Sequence, residues 1–494
     1  MAIDKNDLHQ PESLSKRVVR GGIWVFALRI ANRSLGFIRT IILARLLAPH
    51  DFGLFGIAML AIATLETFSQ TGFQAALVQK KKNVEPYLDT AWTISAIRGI
   101  ILFLILFSSA PLIANFFDSA QAALVIRVIA VSTLLSGFRN IGILFFKKEL
   151  QFNKQFIYEF SGTLVDITVA ISLAFILRNV WALVWGGLAA NFVRVFMSYI
   201  IHPYRPRIKF EKEKFQELFA FGKWVLGSSI LVFLITQGDD IFVGKMLGVT
   251  ALGFYQMAYL ISNLPATEIT HVISQVTFPA YSKLQDDLPK LKDAFLKVLQ
   301  LTAFISVPLT AGIFILAPEF TKIFLGDKWM PMVPAIQILV LAGLVRSIAA
   351  TSGYVFYAVG RTKIDTILQI IRLIVLAALI YPLAIKWEIS GISIAVFLSI
   401  FISNIGFNFM AIKITKCSVA HFIKMMIIPL INGTIAGLLI LGLKTTMGTG
   451  ILEFIILACL GALIYLILVY LSDRLFNYEI QTLIKESIKS FRGN

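Results

Sequence analysis

Residues 22–60 read GIWVFALRIANRSLGFIRTIILARLLAPHDFGLFGIAML, and residues 222–260 read GKWVLGSSILVFLITQGDDIFVGKMLGVTALGFYQMAYL. Slid onto each other at an offset of 200, without a gap, they share Gly22/Gly222, Trp24/Trp224, Val25/Val225 and Ile30/Ile230. The match continues through Ile41/Ile241, Leu47/Leu247, Gly53/Gly253, Ala58/Ala258 and Leu60/Leu260. Common apolarity would match aliphatic residues but not glycines and a tryptophan. After a seven-residue insertion the register resumes at an offset of 207, pairing Ala110-Pro111 with Ala317-Pro318, Phe117 with Phe324, Leu134 with Leu341, Arg139 with Arg346 and Ile141 with Ile348. A chain that repeats itself over this length is a duplication, and the next question is what was duplicated.

Each copy is a series of apolar runs. The 494 residues are 57% hydrophobic and 15% charged, with a mean hydropathy of +0.81, which excludes a water-soluble globule. Segments long enough to cross the hydrocarbon core are predicted at 22–45, 52–77, 90–115, 124–146, 158–177, 181–201, 217–245, 250–277, 296–319, 331–357, 364–385, 388–412, 424–443 and 450–472. Spans one to six repeat as seven to twelve. Six is even, so both copies enter the membrane with the same polarity. The expected fold is therefore an all-α integral membrane protein of 14 transmembrane helices, built as two six-helix bundles in a parallel pseudo-two-fold repeat plus two C-terminal helices. The expected domains are a first lobe at 1–201, a basic linker at 202–216, a second lobe at 217–412, and spans thirteen and fourteen with a tail at 413–494.

The 45 Lys and Arg against 28 Asp and Glu leave a net charge of +17. On a soluble protein that excess would point to nucleic acid; here topology explains most of it. With the N-terminus inside, 28 of the basic residues fall in cytoplasmic segments and seven in outer loops or span ends, so both termini are expected in the cytoplasm. The first apolar run ends without a small-residue cleavage site and reads as a retained span. Ten basic residues remain inside spans: Arg29, Arg33, Arg39, Arg98, Arg127, Arg139, Arg194, Lys223, Arg346 and Arg372. Lys223 and Arg127 lie near span ends, where their heads can snorkel to the interface.

A charge at mid-membrane costs roughly 2.5–3.5 kcal/mol, so the others must face partners or a polar cavity. On a helical wheel Arg29, Arg33, Gly36, Asn32, Arg39 and Thr40 fall within about 120° of the first span. The seventh span carries Ser229, Thr236, Asp239 and Asp240 at the equivalent places. If the halves face each other, the two stripes line one cavity, with Asn32, Thr40, Ser229 and Thr236 as its polar lining. In-span carboxylates are fewer than the cations: Glu66, Asp166, Asp239, Asp240 and Glu268, with Glu159 and Asp365 near ends. Two readings of the arginines stand side by side. They hold helices together through carboxylates and carbonyls, or their surplus charge receives an anion, for which guanidinium forks are suited.

Other chemistry is not signalled. No phosphate-loop motif appears and the five histidines form no metal-binding pattern, so neither an ATPase nor a metal site is expected. Cys417 and Cys459 form no paired pattern. The outer loops are short, which counts against a membrane-embedded polymerase. His271 lies three residues after Glu268, as a proton relay or an ordinary polar contact.

Several stretches resemble the polysaccharide branch of the multidrug/oligosaccharidyl-lipid/polysaccharide flippases, the Wzx-type exporters related to the colanic acid exporter. They are Gly21-Gly22-Ile-Trp24, Ile41-Ile-Leu-Ala-Arg45-Leu-Leu-Ala-Pro49, Asp51-Phe52-Gly53-Leu-Phe, the run from Gly72 to Gln79, and Gly248 to Tyr255. The resemblance implies a transporter, not an enzyme, in the prokaryotic cytoplasmic (inner) membrane. Its cargo would be an undecaprenyl-pyrophosphate-linked oligosaccharide destined for O-antigen, capsule or exopolysaccharide. Partners implied are that lipid-linked substrate, membrane lipids, a polysaccharide polymerase and a chain-length regulator, with no nucleic acid. Relatives hold the lipid tail in a groove of their last two spans, where Gly433 and Gly437 have a GxxxG spacing here. No cofactor is expected. Some relatives couple to an H⁺ or Na⁺ gradient through an acidic residue of span seven, for which Asp239 or Asp240 would serve; with Asp240, the in-span carboxylates Glu66 and Glu268 are the candidate coupling groups. Arg372, one turn after Gln369, departs from the sodium-coupled pattern.

The resulting expectation is alternating access. Arg29, Arg33, Arg98, Arg139, Arg346 and Arg372 receive pyrophosphate, and Arg39 with Asp239 or Asp240 latches the outer gate. The alternatives are a cation-coupled multidrug exporter of the same fold, or a membrane-embedded polysaccharide polymerase.

Overall fold

The architecture follows from a computed structural model, which describes residues 31–70, 77, 84–149, 151–263, 277–476 and 478–483. Every regular element there is a helix, and no strand occurs among the described residues. In order they are α1 (31–46), α2 (Pro49–Phe68), α3 (Glu85–Phe116), α4 (Ala120–Gly137), α5 (Phe152–Leu177), α6 (Trp181–Ile201), α7 (Lys212–Met246), α8 (Val249–Ser262), α9 (Leu288–Phe320), α10 (Val333–Ala358), α11 (Thr362–Thr415), α12 (Val419–Lys444) and α13 (Ile451–Phe476). Ten helices among the described residues are long and apolar enough to cross a membrane. Their outward residues agree: Leu112 and Ile176 are 71% and 74% exposed, on a surface that only hydrocarbon would solvate. The chain is a multi-pass membrane protein.

α11 runs for 54 residues but is two arms. Trp387 (φ −136°, ψ 20°) and Glu388 (φ 47°, ψ −129°) leave helical geometry and turn the chain back on itself. Gly391 then lies against the Leu383 carbonyl so closely that a Cβ would not fit, which is why the hairpin needs glycine there.

The chain divides into two compact units, Met1–Gly253 and Phe254–Asn494. In the first, α5 packs on α6, α3 on α4, and α2 on α4 and α7. Small residues set these spacings. Gly99 of α3 and Gly137 of α4 meet back to back, with a Cβ on either falling 2.8 Å from the other's Cα. Across α5 and α6, a Cβ at Gly186 would lie 2.7 Å from the Ala170 Cβ. In lipid, close contact of this kind is the main attraction between helices, because burial of apolar area drives little. Leu43 of α1 and Leu47 just beyond it pack with Ala170 and Ala174 of α5 and with Ala182 and Leu183 of α6.

The segment after α6 is bound down on this unit. Tyr204 Oη donates to Asp89 of α3, the Arg207 amide donates to the same carboxylate at 3.1 Å, and the Lys209 amide donates to Thr93 Oγ1 at 3.0 Å. Asn140 Nδ2 donates to the Tyr204 carbonyl at 2.7 Å, and His202 stacks on Phe145 at 5.5 Å between ring centroids.

In the second unit α9 is central, touching α10, α11, α12 and α13. Its N-terminus is capped by the Asp287 side chain, which accepts from the Lys290 amide. Its far end carries Glu319, half-buried in an ion pair with Lys444 at 2.8 Å. The chain beyond α13 folds back onto this core: Tyr478 is fully buried, its hydroxyl donating to the Met425 carbonyl at 3.1 Å while Gln300 Nε2 donates to its own carbonyl.

Candidate functional site

The polar stripe of α1 is built on a helix whose other face is aliphatic, so its cations point where packing is not apolar. Arg29 and Lys223 fall outside the described residues or side chains, as do Glu268 and His271. Asn32 Oδ1 is a buried acceptor with no donor among the described residues. The Thr40 hydroxyl donates to the Gly36 carbonyl at 2.9 Å, and that of Thr236 to Val232 at 2.8 Å, so both polar hydroxyls are turned onto their own helices. Ser229 is half-buried, Asp239 is 3% exposed, Asp240 is half-buried, and Arg33, Asp239, Asp240 and Arg372 are each engaged with a partner.

Arg39 makes a different pair from the one expected. Its Nη2 donates to Asp166 Oδ1 of α5 at 2.9 Å, with the two side chains 18% and 22% exposed. The latch to Asp239 or Asp240 is therefore not the contact Arg39 forms here. The reason is packing: Leu43, one turn on from Arg39, sits against Ala170, one turn on from Asp166, so the two charges fall level.

The remaining expected cations are scattered over distinct settings. Arg98 Nε donates at 3.0 Å to the carbonyl and hydroxyl of Ser69, and its Nη2 donates to the Glu66 carbonyl at 3.0 Å, so it caps the C-terminus of α2. It lines a groove of about 390 Å³ walled by Phe68, Ile94, Ile97 and Ile101. Glu66, an expected ion-coupling residue, is exposed beside it. Arg346 Nη1 donates to Asn263 Oδ1 at 2.9 Å and its guanidinium lies over the Tyr259 ring. Its repeat equivalent Arg139 lies within electrostatic reach of Tyr158. The Nε of both Arg139 and Arg346 is buried with no acceptor among the described residues. Arg127 sits over the Phe107 ring, 5.4 Å from its centroid.

Three residues to which sequence pattern assigns no role matter. By pattern Asp166 is only an in-span carboxylate and Arg194 only an in-span cation. His50 was not singled out, yet its Nδ1 lies 3.3 Å from Thr250 Oγ1 and its Nε2 lies 3.3 Å from Gln121 Oε1. His50 and Thr250 are 200 residues apart, the repeat offset. Around them a Cβ at Gly53 would run into the Val249 carbonyl, and one at Gly253 into the Pro49 carbonyl. Both contacts are reciprocal under the same offset, so the 200-residue register was a signal that could have found this crossing.

A family described as "Polysaccharide biosynthesis protein" matches residues 42–334. The chain belongs to that family. It is 27% identical over 355 residues to the lipopolysaccharide biosynthesis protein WzxC of Escherichia coli (strain K12), covering 72% of each chain. It is 22% identical to the succinoglycan biosynthesis transport protein ExoT of Rhizobium meliloti (strain 1021), covering 94% of this chain and 95% of that one. Among solved structures its fold resembles the lipid II flippase MurJ in an inward closed conformation, with a TM-score of 0.74 at 17% identity over 92% of this chain and 99% of that one. An inward-facing multidrug MATE transporter gives 0.62 at 16% identity, over 78% and 96%. Together these place the chain in the polysaccharide branch of the flippase superfamily that its motifs resemble.

Proposed function

We propose that this flippase carries an undecaprenyl-pyrophosphate-linked oligosaccharide from the cytoplasmic to the outer leaflet by alternating access, for assembly of a surface polysaccharide. The observation that carries this reading is the charge of the first unit's interior. Guanidiniums of Arg39, Arg139 and Arg194 lie along α5, where Asp166 forms an ion pair with Arg39. Surplus positive charge away from bulk water is unfavourable until an anion arrives, and a pyrophosphate supplies one. The names of WzxC and ExoT, from lipopolysaccharide and succinoglycan biosynthesis, support a lipid-linked glycan as cargo.

Fourteen spans are supported by α1 to α10, the two arms of α11, α12 and α13, which follow the fourteen apolar segments in order. Duplication is supported by the reciprocal contacts at Gly53 and Gly253. The protein works as a transporter and not as an enzyme, in the bacterial cytoplasmic membrane with both termini inside. Arg29, Arg33, Arg98, Arg139, Arg346 and Arg372 remain the proposed pyrophosphate contacts, and Asp240, Glu66 or Glu268 the proposed coupling groups for H⁺ or Na⁺. A polymerase and a chain-length regulator are the proposed partners.

The test is transport of fluorescent polyprenyl-pyrophosphate oligosaccharides in proteoliposomes, scored by quencher access, for the wild type and for Arg29→Ala/Arg33→Ala. Wild-type transport and its loss in the double variant are expected. Absence of transport for every pyrophosphate headgroup, alongside cation-driven dye efflux, would overturn the reading in favour of a multidrug exporter. The MATE-like fold favours that second reading, but a cationic interior repels cationic drugs.

A further inference from the structure

α5 and α6 run antiparallel in a register that sets Ala170 against Gly186 and Gly162 against Arg194. Gly162 makes room for the arginine: a Cβ there would lie 2.5 Å from Arg194 Nε, 2.7 Å from its Cγ and 3.0 Å from its Cζ. The arginine side chain thus lies against α5 at Gly162, one turn from Asp166. Asp166 is within its electrostatic reach, as is Tyr158, but the Asp166 ion pair goes to Arg39. Arg194 itself makes no hydrogen bond and no ion pair among the described residues.

Tyr158, Gly162 and Asp166 are spaced i, i+4, i+8, so they lie on one face of α5 and span about 12 Å along it. Arg139, Arg194 and Arg39 answer them in that order, a ladder of three guanidiniums rising through one unit. The outer members carry buried Nε–H donors without acceptors among the described residues, at Arg139 and at Arg39. Glu159, the other carboxylate near Tyr158, accepts from Gln155 at 2.8 Å. The middle rung therefore holds a full charge whose five N–H donors have no acceptor among the described residues, inside a membrane-length helix. Unlike the Nε of Arg39 and Arg139, its nitrogens are not sealed off by protein and are open to a ligand, and a charge inside a membrane span makes physical sense if an anion completes it.

We propose that Arg194, seated on Gly162, is an anion subsite that takes phosphate oxygens of a lipid, resting on the flippase reading above. The planar fork matches a phosphate bidentately, and its place between Arg139 and Arg39 lets the ladder pass a pyrophosphate from one rung to the next. Arg39 is partly neutralised by Asp166, so Arg194 is the stronger hold of the upper two. Gly162 is a positioning residue for it, acting only through the place it leaves for the guanidinium.

The experiment is the dependence of initial flipping rate on the mole fraction of fluorescent undecaprenyl-pyrophosphate disaccharide in proteoliposomes. Arg194→Ala should raise the apparent KM about tenfold or more, the loss of one charge-assisted bidentate contact. Arg194→Lys, a point charge without the fork, should fall between. Gly162→Ala keeps the charge but displaces it, so it should raise KM about threefold in the wild-type background and not at all in the Arg194→Ala background. Arg127→Ala, which removes an in-span cation that stacks on Phe107, should leave KM unchanged. Raising phosphatidylglycerol in the liposomes distinguishes the source of the phosphate. Competition in the wild type that vanishes in Arg194→Ala assigns the subsite to bilayer lipid, and no competition assigns it to the substrate; either supports an anion subsite. An unchanged KM in Arg194→Ala, or a Gly162→Ala effect that persists without Arg194, overturns the assignment while leaving the flippase reading intact. A wild type that carries no pyrophosphate probe overturns that reading and the assignment with it.

Discussion

Replacing Arg39 by Ala strands the Asp166 carboxylate between α5 and α6. In the intact protein the pair is closed at 2.9 Å, with 22% of Asp166 exposed and a Cβ at Gly186 only 2.9 Å from its Oδ1. Breaking a fully buried ion pair costs about 3–5 kcal/mol. The residual exposure, and the option for Asp166 to take up a proton, reduce this to about 2 kcal/mol. For a unit of this size that corresponds to a melting temperature lower by roughly 4–8 °C. Asp166→Ala should cost a similar amount by stranding the guanidinium, and the double variant should cost less than the two together, with a coupling of about 1.5–2 kcal/mol. The assay is thermal unfolding of detergent-solubilised protein followed by intrinsic fluorescence of its seven tryptophans. Reversal should be informative as well: Arg39→Asp with Asp166→Arg should recover most of the loss. Strict additivity of the two alanine variants would refute the pairing. So would recovery of Arg39→Asp by Asp239→Arg or Asp240→Arg but not by Asp166→Arg.

Three further outcomes follow from particular contacts. Gly53→Ala should push the ends of α2 and α8 apart, because the atom met is a backbone carbonyl that cannot rotate away; bismaleimide crosslinking of His50→Cys to Thr250→Cys should fall by about half or more, and unchanged yield would refute the crossing. Tyr478→Phe should cost about 1–2 kcal/mol through its bond to the Met425 carbonyl, and Tyr478→Ala about 3–5 kcal/mol through lost packing as well; equal damage from both, measured by melting, would mean the ring does not anchor the C-terminal segment. His202 is held below the ordinary histidine pKa, first by burial and then by Lys154 and Arg205, with Glu149 pulling the other way. The folded segment thus prefers the neutral ring and the unfolded one binds more protons. Its stability is complete above the unfolded pKa of about 6.5 and declines as pH falls below that value. Amide exchange across 203–209, corrected for intrinsic rate, should be faster at pH 5 than at pH 7.5, and His202→Gln should abolish the difference; persistence of the difference in that variant would refute His202 as the group responsible.

How much of this was legible beforehand depends on the range of the interaction. Apolar run length located the helices, because a span needs only its own hydrogen bonds and about 20 apolar residues. The break at Trp387–Glu388 lies at the boundary of the runs 364–385 and 388–412, with Glu388 the first residue of the second, since the hairpin needs few residues. The offset of 200 already paired Gly53 with Gly253, and the structure sets Gly53 against the Val249 carbonyl and Gly253 against the Pro49 carbonyl. The stripe on α1 was visible as a 3.6-residue period. Its partners were not, because a period says which face is polar and nothing about which helix lies opposite.

The sequence alone therefore determined that this is a polytopic, cation-rich membrane protein, since hydropathy and charge count are properties of single segments. The tertiary structure alone decided that Arg39 meets Asp166, that Arg98 caps α2, and that Arg194 rests on Gly162. Those pairings depend on how close two helices come and in what register. That closeness is set by glycines and alanines, residues whose lack of side chain carries no local signal of what will fill the space.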